Sequence, residues 1–223
     1  MYRERPPKTS KEKIFKEIRS DIINGRLPPG TRLAVEDLSN RYGTSVTPVR
    51  DALQMLGQEG LVTIKPRSGY FVTRITLKEL RDMLDMREIL ELAAVERAAR
   101  RIDPDQIADL KALHSGYTGD DDASYTRYTD ENRRFHHLLA EASGNRELAE
   151  TLRRLHERLA RFMVIRHAGK DLPDIHGKLI EKLTKHDVAG AKQVLEEELR
   201  ETRRAILDRV MAEMSGNWEV GSV

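Results

Sequence analysis

The stretch Glu131-Asn132-Arg133-Arg134-Phe135-His136 holds an amide oxygen and an imidazole four residues apart. On a helix that spacing puts Asn132 and His136 on one face, a usable metal-ligand geometry. His176 opens the segment His176-Gly177-Lys178-Leu179-Ile180, and Glu198 falls inside an apolar stripe of Ala191, Val194, Leu195, Thr202 and Ala205. A carboxylate in such a stripe needs a cation or hydrogen-bond donors, because burying a lone charge is costly. Arg87 makes the converse demand. At about 100° per residue it points between Leu80 and Ala94, within the apolar arc of Leu77, Met83, Leu84, Leu90 and Ala98. Its partner is either Glu91, one turn further on, or a carboxylate ligand gripped bidentately, and spacing alone favours Glu91. Taken singly, each of these residues is more often a satisfied polar core group or a surface group.

A second set of residues has the chemistry to meet a polyanion. Thr44-Ser45-Val46-Thr47-Pro48-Val49-Arg50 reads as the start of a helix, with Pro48 tolerated in the first turn. Hydroxyls and exposed N–H groups at a helix start suit phosphate oxygens, and Arg50 reaches a phosphate or a guanine edge. Lys65-Pro66-Arg67-Ser68-Gly69 links two β-branched and aromatic runs, Leu61–Ile64 and Tyr70–Thr73. This is a hairpin with a basic tip, where Lys65 and Arg67 would reach a minor groove and Gly69 permits the tight turn.

These residues sit in two chemically different halves. The chain has 223 residues and a formal net charge of +2. Residues 1–75 hold 14 Lys/Arg and 8 Asp/Glu, whereas residues 76–223 hold 25 and 29. Six of the eight prolines lie in the first part and all seven histidines in the second. The boundary is therefore expected near Arg74–Thr76. Cysteine is absent, which excludes disulfides, thiolate metal sites and cysteine nucleophiles. No run approaches the ~18 apolar residues of a spanning helix, and the polar N-terminus has no apolar signal region. A cytoplasmic location with no membrane partner is expected.

The expected fold class is mainly α, an N-terminal winged helix-turn-helix followed by an all-α antiparallel bundle. Residues 1–9 are expected as a disordered arm and 10–74 as the winged unit. A helix carries Ile14, Phe15, Ile18, Ile22 and Ile23; a short one runs from about Val35 to Arg41; a third runs from about Val46 to Glu59, and the hairpin follows. Residues 75–214 are expected as the all-α unit, with helices at about 76–101, 104–115, 124–143, 146–168, 172–185 and 187–214. Residues 215–223 are expected as a disordered tail.

The first half resembles the DNA-binding domain of the GntR superfamily. The residues that carry the likeness are Gly25, Leu27, Pro29-Gly30-Thr31, Leu33, Tyr42-Gly43, Ser45, Thr47-Pro48-Val49-Arg50-Asp51-Ala52-Leu53, Glu59-Gly60-Leu61-Val62, Arg67 and Gly69. The resemblance implies that Ser45, Thr47, Arg50 and the wing around Arg67–Gly69 contact double-stranded operator DNA. Val46 departs from it, standing where many relatives place a base-reading arginine. The second half resembles the FadR-like, FCD-type ligand-binding domain through Arg87-Glu88, Leu90-Glu91, Ala93-Ala94, Phe135-His136, Ala142, Gly144-Asn145, His176, Asp187 and Ala191. By position, the family's divalent-metal set falls on Asn132, His136, His176 and Glu198, with Asn in place of the usual Asp and Glu in place of the usual last His. Such mixed N/O ligands suit Zn, Ni or Mn. Arg87 and Arg166 become candidates to grip the carboxylate of a small organic acid.

The expected function is a homodimeric DNA-binding transcription regulator, a repressor, controlled by a small carboxylate effector with a divalent metal. The alternatives are a regulator for which metal alone is the signal, and a helical metalloenzyme. No HExxH or GxSxG motif supports the enzyme.

Overall fold

The computed structural model describes residues 10–113, 122–163 and 172–216. The expected arm 1–9, residues 217–223 of the expected tail and Arg166 lie outside the described residues. The chain separates into two compact units, with the first break after Leu80. Among the described residues the architecture is mainly α with one small sheet. No described helix is long and apolar enough to cross a membrane.

In the N-terminal unit, α1 (Ser10–Ile23) buries Ile14, Ile18 and Ile22 at i, i+4 spacing. α2 (Val35–Tyr42) ends where Gly43 turns left-handed at φ 59°, and Gly43 N–H bonds the Asn40 carbonyl. α3 (Val46–Gln58) buries Val49, Ala52, Leu53 and Leu56 against α1 and α2. Three antiparallel strands follow the order β1-β3-β2, with β1 Arg32–Leu33, β2 Val62–Lys65 and β3 Gly69–Val72. The expected hairpin is β2–β3, in the register Lys65 to Gly69 and Val62 to Val72. β1 was not expected; it pairs Arg32 with Phe71 and Leu33 with Tyr70. Two residues are too few to show a period of two, so this strand exists only through its pairing partner.

From Leu77 on, the described residues form only helices: α4 Leu77–Arg101, α5 Pro104–Leu113, α6 Asp122–Ala142, α7 Arg146–Met163, α8 Leu172–Thr184 and α9 Val188–Gly216. Four of these starts are fixed by side chains that satisfy free backbone N–H groups. Thr76 and Glu79 form a reciprocal capping box at 2.8–3.2 Å. Asp103 Oδ1 accepts from Gln106 N–H, Asn145 Oδ1 from Leu148 N–H and Asp187 Oδ1 from Gly190 N–H. The main core joins Val95 and Ala98 of α4, Leu110 of α5, Phe135 and Leu139 of α6, Leu179 and Leu183 of α8, and Ala191 and Leu195 of α9. Ala149 and Leu152 of α7 pack on Ala94 and Ala140. α9 runs through Ser215 and Gly216, two residues past its expected end.

Candidate metal centre and nucleic-acid interface

Five bundle helices place a chain of buried polar groups inside this apolar packing. α6 presents His136, α8 His176 and α9 Glu198; ligand atoms of these three lie within 4.8 Å of one another. His136 Nε2 bonds Glu198 Oε1 at 2.9 Å, and His176 Nε2 lies 3.6 Å from the same oxygen. The His176 ring stacks on Phe135, centroids 3.9 Å apart and planes 8° from parallel, which fixes its orientation. Asn132 stands one turn before His136 on α6. Its Oδ1 and Glu198 Oε2 are buried without a hydrogen-bond partner among the described residues. The Glu198 carboxylate beside two imidazoles, with the Asn132 oxygen one helical turn from His136, is a donor set that suits a divalent cation, since buried acceptors are otherwise paired.

The chain of contacts continues away from this cluster. His136 Nδ1 donates to Glu91 Oε2 at 2.6 Å. Glu91 Oε1 accepts from Arg87 Nε at 2.6 Å and from His156 Nε2 at 2.8 Å. Arg87, 2% exposed, is buried as its place in the apolar arc requires, and Glu91 is its partner. Arg87 Nη1 points at the Met163 sulfur, 3.5 Å away. Glu91 was expected only as a counter-ion to Arg87, and His156 was not among the expected site residues. Both were findable by the signal that marked Arg87. His156 falls within the Leu152, Leu155, Leu159 arc of α7, and Glu91 within the Leu84 arc of α4.

Electrostatics follow from this pairing. Burial pushes the His136 imidazolium down, but the Glu91 and Glu198 carboxylates on its two ring nitrogens outweigh it and raise its pKa to about 10. Burial pushes the Glu198 carboxyl up, and His136 and His176 overcome that, holding it well below the usual carboxylate range. Glu91 is likewise held low against its burial by His136 and Arg87. Burial dominates at His156 and lowers its pKa, so it stays neutral near pH 7 and donates through Nε2. His137, the next residue on α6, faces elsewhere and lies 3.5 Å from Glu141.

In the N-terminal unit, the face of α3 opposite its core leaves Val46, Thr47 and Arg50 exposed, with Ser45 before them. Ser45 is extended, at φ −73° and ψ 168°, and its hydroxyl makes no capping bond, so it is not spent on the helix start. At the hairpin tip Lys65 and Arg67 are exposed, and Arg67 takes a left-handed φ of 60°. Gly69 has φ 105°, a conformation that favours glycine. Lys65 Nζ lies 5.0 Å from the Phe71 ring centroid.

Residues 82–201 match the FCD domain, and residues 10–72 match the family described as bacterial regulatory proteins, gntR family. The uncharacterized HTH-type transcriptional regulator YdhC of Bacillus subtilis is 27% identical over 192 residues, covering 81% of this chain and 83% of the relative. The HTH-type transcriptional repressor RspR of Escherichia coli K12 is 24% identical over 220 residues, 96% of this chain and 95% of its own. Among solved structures, E. coli McbR/YncC shares the fold at a TM-score of 0.73 and 21% identity, over 91% of this chain and 99% of that one. The chain belongs to the gntR family of bacterial regulatory proteins, in the branch that carries an FCD domain, and is a DNA-binding transcriptional regulator rather than an enzyme.

Proposed function

We propose that the protein is a dimeric repressor whose operator affinity is set by a small carboxylate, bound together with a divalent cation in the helical bundle. The observation that carries this reading is the buried cluster of His136, His176 and Glu198, together with Asn132 Oδ1 and Glu198 Oε2, buried acceptors with no hydrogen-bond partner among the described residues. His136, His176, Glu198 and Asn132 would hold the cation, Zn, Ni or Mn by donor type. The cation would supply a fixed positive charge to draw an acid into the bundle. Arg87, on α4, is the candidate to take the acid's carboxylate, and Arg166 remains a second candidate. A ligand regulates only through different affinity for two arrangements of the protein.

On the DNA side, α3 enters the major groove with Ser45, Thr47 and Arg50 toward phosphates and base edges, and Lys65 and Arg67 carry the wing to the adjacent minor groove, with Gly69 allowing close backbone approach. Their exposure and the uncommitted Ser45 hydroxyl support this reading. A two-fold dimer would double these contacts on a palindromic operator. Met86 and Ile89 of α4, 49% and 67% exposed, form an apolar row suited to a second copy.

A second reading, in which metal alone is the signal, is favoured by the Glu91 carboxylate already held on Arg87. One experiment separates the two. Metal-stripped protein is titrated onto operator DNA with Zn, Ni or Mn, each with and without a panel of mono- and dicarboxylates. An affinity change that needs an acid supports the first reading, and one produced by metal alone supports the second. No change under any condition refutes both.

A further inference from the structure

We propose that Glu91 is a shared positioning residue that couples the two ligands, so that an anion taken by Arg87 tightens a divalent cation at His136, and the cation tightens the anion. This rests on the reading that His136, His176 and Glu198 hold such a cation.

One carboxylate serves three partners. Its Oε2 accepts from His136 Nδ1 at 2.6 Å, and its Oε1 accepts from Arg87 Nε at 2.6 Å and His156 Nε2 at 2.8 Å. All four side chains are buried. The bond at Nδ1 sets the His136 ring so that Nε2 faces Glu198 and His176. A carboxylate on the second nitrogen of a ligating histidine also makes the ligating nitrogen a stronger donor.

That donation is held in check. The positive charge of Arg87 rests on the other oxygen of the same carboxylate and offsets part of its field at His136. Among the described residues Arg87 gives Glu91 its Nε, and its Nη1 meets the Met163 sulfur, a weak acceptor. Among the described residues Glu91 is its one carboxylate partner, so a five-donor guanidinium has capacity for an anion. An anion there neutralises Arg87 and leaves the Glu91 charge undivided for His136 and the cation. His156 keeps its own bond to Oε1 and holds the carboxylate in place. The gain in cation affinity must equal the gain in anion affinity, because coupling free energy is reciprocal.

The test uses Zn²⁺ alone, titrated calorimetrically against a chelator into metal-stripped full-length protein at several pH values, so that each affinity is corrected for the proton the metal displaces. Glu91→Gln removes the charge behind His136 and should weaken Zn²⁺ about 10–100-fold. Arg87→Gln removes the offset, as a bound anion does, and should tighten it about fivefold or more. Opposite signs are the signature. If the Arg87–Glu91 pair only held the fold together, both substitutions would break it and both would weaken the metal, which overturns the proposal. Glu91→Asp keeps every charge but shortens the reach to His136, and should cost about tenfold; unchanged affinity in that variant overturns the proposal even if Arg87→Gln does not fold. A wild-type protein that binds no Zn²⁺ sinks the metal reading and this coupling with it. Zn²⁺ binding with shifts of one sign sinks the coupling alone.

Discussion

Glu198→Gln in metal-free protein is the sharpest test of the buried network, because it changes one charge and almost no volume. Glu198 is 1% exposed and its Oε1 lies 2.9 Å from His136 Nε2. His136 has its pKa raised from 6.5 to about 10 in the folded chain. At pH 7 that leaves about three pH units of preference for the folded imidazolium, about 4 kcal/mol in all at 1.36 kcal/mol per unit. Glu91 and Glu198 share this contribution, so neutralising Glu198 should cost about 2 kcal/mol, or about 4–8 °C in Tm for a chain of this size. The size of the effect depends on pH, while its sign does not. The His136 contribution is complete below its unfolded value of 6.5 and is lost as pH rises through about 10. The Glu198 contribution is complete above its ordinary value of 4.5 and is lost as pH falls below it. The gap between wild type and variant should therefore be widest between pH 4.5 and 6.5 and close toward pH 10. Thermal unfolding by circular dichroism at pH 5.5, 7.5 and 9.5 reads this directly. A gap that is the same at all three pH values, or a variant more stable than wild type, refutes the buried ion-pair account.

Three further outcomes are expected. A cation at His136 must displace the proton held there, so Zn²⁺ affinity should rise about tenfold per pH unit between pH 6.5 and 10, and His136→Gln should abolish the dependence; calorimetry in buffers of different ionisation heat counts the released proton. Arg50→Ala should weaken operator binding about 5–150-fold at fixed salt, corresponding to about 1–3 kcal/mol if the contact is to a base edge, or lower the salt slope by about one if it is to a phosphate; gel-shift titrations at several salt concentrations distinguish these, and unchanged affinity excludes Arg50 from the interface. Ile89→Asp, at a site 67% exposed, should give a monomer by light scattering with helicity retained, and a persistent dimer would place the interface elsewhere.

The N-terminal unit was legible nearly residue by residue. Its glycines, prolines and i, i+4 isoleucines act within one or two turns, and Gly43 ends α2 by its own backbone preference. The exception, β1, has only two residues and depends on pairing with a strand much later in the chain, Arg32 with Phe71 and Leu33 with Tyr70. The bundle helices were legible for the same reason, since Thr76, Asp103, Asn145 and Asp187 cap them locally. Periodicity also showed that Arg87 and Glu198 had to be buried and in need of partners. It could not say which partners, because a helical period fixes the face on which a residue lies and not the neighbour that face meets. Glu198 meets His136 across 62 residues and His156 meets Glu91 across 65. The sequence by itself therefore determined a winged DNA-binding unit, a helical bundle and buried charges in that bundle. Only the packing of α4, α6, α7, α8 and α9 decided that those charges form one network through Glu91, because burial makes every such charge find its counterpart wherever in the chain that counterpart lies.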